Sequence, residues 1–287
     1  MRITIAIPNK GRLHKPSVRL LTKAGLAPSN WKTRSLYLST VIPWLSIVLA
    51  RASDIPTLVE GGAVDLGVTG YDYVVESGAE VAELLDLEFG GCRIVLAAPE
   101  ESGIESPRNL TAQTRIATKY PSIAGNYLKV KGMKAKIVKV SGAVEITPLM
   151  NVAEAVLDIV DTGATLKIHG LRIVEEVLRS SARLIVNKKA LAEKGEKIKE
   201  ITTALRSVLM ARKKKLLMMN VPEEALQRVL GVLPSMGGPT LAKVEAPVPM
   251  WEVYSVVEEG EIPHVISSVK TAGARDIIVL PVERVVP

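Results

Sequence analysis

Apolar and polar residues alternate from Arg2 and close into an apolar run ending at Pro8, the pattern of a buried strand. Asn9-Lys10-Gly11-Arg12 breaks that run as a turn, and Ser17 to Ala24 takes helical spacing. The same unit recurs. Thr40 to Ala50 and Val64 to Thr69 read as strands, each leading into a short helical stretch, Ile55 to Glu60 and Tyr71 to Glu76. Further on, Arg93 to Ala97, Arg115 to Thr118 and Lys136 to Val140 read as strands, with a helix from Ile123 to Lys131. Strands alternating with helices predict parallel sheet.

Two segments share a short pattern. Ala63 to Gly70 and Val156 to Gly163 both carry Asp-x-x-x-Thr-Gly after an apolar lead, and both are expected to run from a strand into a turn that opens a helix. Two such half-structures facing each other predict a bilobed core with a cleft. Gly90-Gly91 and the segment from Glu100 to Pro107 punctuate the end of the first lobe, and a charged helix from Ala190 to Arg212 returns the chain. After it the texture changes. Strand Leu216 to Asn220, helix Pro222 to Leu233, strands Thr240 to Glu245 and Trp251 to Glu258, helix Ile262 to Ala272 and strand Asp276 to Pro281 make β-α-β-β-α-β. That order is ferredoxin-like. The expected domains are residues 1–92 with 186–212 as lobe I, residues 93–185 as lobe II, and residues 213–287 as a separate C-terminal domain.

Composition narrows the class. A chain of 287 residues suggests two or three domains, at ~150 residues each. Hydrophobic residues make up 47% but aromatics only 3%, so the core is aliphatic. Cys92 is the single cysteine, which excludes an intrachain disulfide and suits a reducing cytosol. No apolar stretch reaches the ~20 residues of a membrane span, and the N-terminus lacks the form of a signal peptide. The expectation is a cytoplasmic protein that engages neither membrane nor nucleic acid. The net charge of +7 would otherwise suggest nucleic acid, but Arg212-Lys213-Lys214-Lys215 has no interleaved aromatics and reads as a solvated helix end. Small polyanionic substrates explain the charge instead.

The chemistry gathers at strand ends. In Asp158-Ile-Val-Asp161-Thr162-Gly163-Ala164-Thr165 an apolar strand ends in two carboxylates and a Thr-Gly-x-Thr turn, followed by the run Leu166 to Leu178. Such a turn offers backbone N–H groups, hydroxyls and a helix start to a phosphate, with Asp158 and Asp161 suited to ribose hydroxyls; a plain capped helix is the other reading. Lys10, Gly11 and Arg12 put two cations on a strand-end turn, where α/β sheets bind ligands. Arg51 and Asp54, Thr69-Gly70-Tyr71-Asp72, Lys119 and Glu145 occupy comparable positions, Asp54 and Asp72 being equally suited to capping. His14, His169 and His264 lack metal-ligand spacing, no dedicated protein metal site is expected, and no activated nucleophile stands out. That points to direct displacement.

Taken in order, Ala6 to Leu13, Arg51 to Asp54, Val64 to Asp72, Ala117 to Pro121, Gly142 to Glu145 and Asp158 to Leu166 resemble the ATP phosphoribosyltransferase family of histidine biosynthesis. The tail, through Met219 to Pro222, Pro239-Thr240 and Gly273 to Ile277, is similar to the family's long form. The resemblance implies a periplasmic-binding-protein-like two-lobed α/β core with a C-terminal ferredoxin-like domain. It implies ATP and phosphoribosyl pyrophosphate as substrates, Mg²⁺ carried mainly by substrate, L-histidine as inhibitor, and a homo-oligomer, dimer or hexamer.

Residue roles follow from the same resemblance. Asp161, Thr162, Gly163, Ala164 and Thr165 hold the 5-phosphate, and Asp158 and Glu145 face the ribose. Lys10, Gly11, Arg12, Arg51, Thr69, Gly70 and Asp72 serve ATP, with Lys10 and Arg12 joining Asp158 and Glu145 in catalysis. Asn220, Met236, Gly238, Thr240, Val257 and Asp276 line the effector pocket. Gly238 stands where a serine is usual, and Asn220 where an acid occurs, so an amide replaces a charge there. A solute-binding protein would share the two lobes but need an export signal. An amino-acid-sensing module would bind ligand without releasing pyrophosphate.

Overall fold

The computed structural model describes all residues except 1, 29, 32–34, 162 and 287. The chain divides into two compact units, residues 1–202 and 203–287.

The first unit opens with β1 (Ile3–Pro8), α1 (His14–Lys23), β2 (Tyr37–Ser39), β3 (Leu45–Ala50), α2 (Ile55–Glu60), β4 (Leu66–Gly70), α3 (Tyr71–Ser77) and β5 (Ala82–Asp86). It continues through β6 (Cys92–Pro99), β7 (Arg115–Thr118), α4 (Pro121–Lys131), β8 (Lys136–Lys139), β9 (Ala155–Val160), α5 (Ala164–Ile168) and β10 (Leu171–Ser180). Then come β11 (Ala182–Val186), α6 (Lys188–Glu193) and α7 (Gly195–Ala211), in which the boundary between units falls.

Two sheets define two lobes. The first has the order β2-β3-β1-β4-β11-β5 and the second β10-β6-β9-β7-β8. In the first lobe β3, β1 and β4 run parallel. Their carboxyl ends deliver the turns after Pro8, Ala50 and Gly70 to one edge of the sheet. In the second, β8, β7 and β9 run parallel and deliver the turns after Lys139, Thr118 and Val160 in the same way. Antiparallel strands complete each sheet: β11 pairs with β4 and β5, and β6 lies between β10 and β9. This is the bilobed α/β core expected from the sequence.

The structure corrects two boundaries. Lobe II ends near residue 181 rather than 185, because β11 is hydrogen-bonded into the first sheet. The C-terminal unit begins within α7 rather than at 213; in that unit the Val285 N–H donates to the Ser207 carbonyl at 3.0 Å. The run from Leu166 to Leu178 is also not one element. A short helix, α5, turns at Gly170 into the ten-residue strand β10.

The second unit adds β12 (Lys214–Pro222), α8 (Leu226–Val232), β13 (Thr240–Val244), β14 (Met250–Glu258), α9 (Ile262–Ala272) and β15 (Arg275–Pro281). Its sheet has the order β13-β14-β12-β15, all antiparallel, which is the ferredoxin-like arrangement. Leu217, Met219, Val221, Val253 and Val257 point from one face of the sheet onto Val229, Val265 and Val269 of the two helices. The period of two sends Met218, Asn220, Tyr254 and Ile278 to the opposite face.

Candidate functional site

Strand β9 is apolar through Ala155, Val156 and Leu157 because it lies between β6 and β7, buried on both faces. Its last turn changes character at Asp158. One oxygen of this carboxylate accepts the Ile159 N–H at 2.7 Å and lies 3.0 Å from Lys119 Nζ, which comes from the turn after β7. Beyond Val160 the chain bends at Asp161, and Gly163 takes φ of +87° before α5 begins. A side chain is strained at that φ, so glycine is the residue that lets the loop double back toward the cavity.

A cavity of about 230 Å³ is lined by Glu145, Asp158, Ile159, Val160, Asp161, Gly163, Ala164, Thr165 and Leu166. Residues separated in sequence, Glu145 and the segment from Asp158, thus share one space, and Asp158, Asp161 and Glu145 bring oxygen donors to it. Thr162 lies outside the described residues. Asp161 also lines a second cavity of about 500 Å³, with Arg93, Arg179 and Arg183 among its walls.

In the first lobe, Lys10, Gly11, Arg12 and Arg51 are exposed on the turns that follow β1 and β3. They belong together, because β1 and β3 are neighbouring parallel strands in matched register, Pro8 beside Ala50. Other residues expected to contact ATP do not share this exposure. Thr69 is fully buried, and its hydroxyl donates to the Ala52 carbonyl at 2.6 Å, tying β4 to the turn after β3. Asp72 is fully buried as well. Its Oδ1 accepts the Ser180 hydroxyl at 2.7 Å and lies 3.4 Å from an Arg12 guanidinium nitrogen, while Oδ2 accepts the Tyr120 hydroxyl at 3.2 Å. Gly70 serves this carboxylate by close approach, since a Cβ there would overlap Asp72 Oδ1. Thr69, Gly70 and Asp72 therefore build the site's wall, because burial removes them from any ligand in the cleft.

Electrostatics follow from these contacts. Burial opposes the Arg12 charge most strongly, but Asp72, Cys92 and Tyr120 together outweigh it and hold the guanidinium pKa above its ordinary value. Burial, reinforced by Asp72, pushes the Tyr120 and Tyr73 phenols up and keeps them protonated. Burial also raises the Cys92 thiol, so it is a poor nucleophile. Sequence reasoning placed Lys119 at a strand end without a role. Tyr120 and Ser180 it missed, because their partner Asp72 is distant in the chain and only the fold joins them.

The residues expected from the sequence to line an effector pocket separate. Asn220 and Asp276 meet, with the Asn220 amide donating to Asp276 at 3.1 Å. Met236 and Gly238 lie in the loop before β13, and Thr240 begins that strand. β13 and β15 are opposite edges of the sheet, three strand spacings or roughly 14 Å apart, and Asn220 on the inner strand β12 is two spacings or roughly 10 Å from β13. Val257 is 3% exposed in the core of the unit. Its side chain faces the helices rather than the surface that carries Asn220 and Thr240, which removes it from a shared pocket.

Comparison with known proteins agrees with this architecture. The family model described as ATP phosphoribosyltransferase matches residues 51–207, and that of the HisG C-terminal domain matches residues 211–284. The chain is 50% identical to an ATP phosphoribosyltransferase of Ignicoccus hospitalis, covering 98% of this chain and 99% of that one. It is 47% identical to one from Methanopyrus kandleri, covering 99% and 100%. Among solved structures, the ATP phosphoribosyl transferase (HisG:HisZ) complex from Thermotoga maritima aligns with a TM-score of 0.62 at 27% identity, over 71% of this chain and 98% of that chain. With matching models on both units and relatives covered nearly end to end, the chain belongs to the ATP phosphoribosyltransferase family, in the long form that carries a C-terminal domain.

Proposed function

We propose that this protein joins ATP to phosphoribosyl pyrophosphate: adenine N1 of ATP attacks C1′ of the ribose with inversion, the bond from C1′ to oxygen breaks, and pyrophosphate leaves with the electron pair. The observation that carries the reading is the cavity in which Glu145, Asp158, Asp161, Gly163, Ala164 and Thr165 converge. Its loop suits a 5-phosphate, and the carboxylates of Asp158 and Glu145 suit the ribose and the positive charge that develops at C1′. Adenine N1 is neutral and needs no general base, so positioning and charge stabilisation dominate. Lys10, Arg12 and Arg51 supply cations for the polyphosphates.

Mg²⁺ would be held mainly by the substrate phosphates, with Asp158 beside them, and would supply charge neutralisation for the leaving pyrophosphate. Pyrophosphate release measured with ATP, phosphoribosyl pyrophosphate and Mg²⁺, omitting each in turn, tests the reading; release should need all three. Folded protein that binds either substrate without release would favour a binding role.

L-histidine is the proposed inhibitor, acting through Asn220, Asp276, Met236, Gly238 and Thr240. Thr240 on the edge strand β13 stands two strands from Asn220 on β12 and three from Asp276 on β15, a separation that supports a pocket completed between copies. The sheet face on which Met218 and Tyr254 are half-buried and Ile278 and Leu280 exposed supports a homo-oligomer, dimer or hexamer. Light scattering with and without histidine tests this, and a monomer in both would oppose it. The cellular reading is a cytoplasmic enzyme; no helix among the described residues is long and apolar enough to cross a membrane.

A further inference from the structure

We infer that Asp72 is a positioning residue, a buried carboxylate through which Tyr120 and Ser180 of the second lobe set the placement of Arg12 on the first lobe's strand-end turn. The inference rests on the proposed role of Arg12 toward a substrate polyphosphate.

The argument starts from α3. This helix belongs to the first lobe, yet several of its side chains work in the second. Tyr73 and Val75 pack against the second lobe's apolar core, and the Tyr73 ring lies 6.4 Å from that of Tyr120. Glu76 accepts the backbone N–H groups of Ser122 and Ile123 at 3.1 and 3.0 Å, capping α4 from across the cleft. Negative charge at a helix N-terminus is favourable, so α3 is fastened to the second lobe by packing and by polar contact.

Asp72 is the buried member of this contact. A carboxylate removed from water needs donors, and the described residues bring it three side chains from three segments. Its own N–H also donates to Ser180 Oγ at 2.9 Å, so this serine closes a two-way bond with Asp72. The contact to Arg12 is the longest of the set at 3.4 Å, and the Arg12 side chain remains 34% exposed. Two neutral hydroxyls thus satisfy most of the carboxylate's demand. Arg12 is aimed by Asp72 without being drawn into the interior. Remove either hydroxyl, and the carboxylate turns to its remaining strong donor, pulling the guanidinium away from the cleft.

The second lobe therefore sets Arg12's reach. Tyr120 adjoins Lys119, which holds Asp158, so one turn after β7 touches both the carboxylate that aims Arg12 and the carboxylate proposed for the ribose.

The test uses Tyr120→Phe, Ser180→Ala and the double variant in the full chain, reading KM for each substrate, kcat, and ATP affinity by calorimetry. Each single change should raise KM for a polyphosphate substrate about 5- to 10-fold and leave kcat within about twofold. The double variant should lose little more than either alone, because both act through one carboxylate. Ser180→Thr, which keeps the hydroxyl, should restore KM. Unchanged KM in folded variants, additive losses, or a fall in kcat at constant KM would overturn the inference. If a variant melts too early to assay, Ser180→Thr beside wild type decides, and a folded threonine enzyme with KM raised about 5-fold or more refutes it. A wild-type enzyme that releases no pyrophosphate overturns the transferase reading instead; the positioning role then stands or falls on ATP affinity, which the variants should weaken by a similar factor.

Discussion

Lys119 and Asp158 are bound to each other at 3.0 Å, one from the turn after β7 and the other from near the carboxyl end of β9, the strand that leads into the loop at Asp161. These strands are parallel neighbours, paired from Ile116 with Ala155 to Thr118 with Leu157. The register brings the cation beside the carboxylate just past the paired segment. Asp158 has only 13% of its side chain exposed, so on the proposed reading the lysine would shape the field that a ribose in this cavity meets.

Lys119→Ala should therefore lower kcat/KM for phosphoribosyl pyrophosphate by about 10- to 100-fold, an effect of losing one partner from a partly buried charge pair. Steady-state kinetics against both substrates checks it. Equal losses toward ATP and phosphoribosyl pyrophosphate would show that the lysine serves more than the ribose side.

The loop itself makes a second prediction. Thr162→Ala with Thr165→Ala should weaken phosphoribosyl pyrophosphate binding, measured by calorimetry, while the fold is retained. Gly163→Ala places a side chain at φ of +87° and should cost about 1–2 kcal/mol of stability in addition. Undiminished affinity in the double threonine variant would return the loop to a helix start without a ligand.

Gly70→Ala tests the wall behind the site. The added methyl has no room beside Asp72 Oδ1, so either the carboxylate or the backbone shifts. We expect a loss of about 1–3 kcal/mol in chemical denaturation, the usual cost of overpacking. Because Asp72 joins the lobes, the loss should be accompanied by a raised KM rather than by stability change alone.

Much of this was legible because it is local. The turn after β1, the helix from Ile55 to Glu60, the strand from Arg115 to Thr118 and the helix from Ile262 to Ala272 are set by their own periodicity and flanking turns, and they stand where that reading put them. Strand β10 was not legible. Its sequence, Leu-Arg-Ile-Val-Glu-Glu-Val-Leu-Arg-Ser, does not alternate, because register shifts near Val174 and Val177 break the pleat. Strand β11 is five residues buried in a sheet the chain had left long before, which no local pattern announces. The repeat of Asp-x-x-x-Thr-Gly also misleads. Asp65 precedes β4 and pairs with Lys194 at 2.7 Å, whereas Asp158 lies inside β9 near its carboxyl end. Asp72 read as an exposed cap or ligand because its burial depends on Tyr120 and Ser180, which come from the other lobe.

Acid should unfold the catalytic unit through particular carboxylates. Glu154 is held low by Arg115, Glu175 by Lys131 and Tyr127, and Asp86 by the Glu88 N–H and Arg183, which outweigh its burial. Depressed carboxylates contribute stability that is present above the ordinary range of about 4 and is lost as pH falls through their lower folded values. Melting temperature should hold near neutrality and fall below about pH 4, and Arg115→Ala should flatten part of that slope. Tyr120 acts at the other end: its raised pKa contributes stability that is fully present below about pH 10 and declines progressively above it, and Tyr120→Phe should soften that alkaline loss.

Val257 lies on the core face of the C-terminal unit's sheet, opposite the face that carries Asn220 and Thr240. Its side chain lies among Leu217, Val253, Val265 and Val269, on the face of β14 opposite Tyr254, whose paired residue is Thr240. Val257→Ala should then cost about 2 kcal/mol, as a buried truncation does, and leave histidine inhibition unchanged at temperatures where the unit stays folded. Asn220→Ala should behave in the opposite way. Asn220 lies on the other face and donates to Asp276, so its loss should spare stability and shift the histidine concentration for half-inhibition. Urea unfolding paired with histidine titration of both variants distinguishes the two roles. Equal shifts in inhibition from both would place the effector against the core, and the assignment of faces would have to be abandoned.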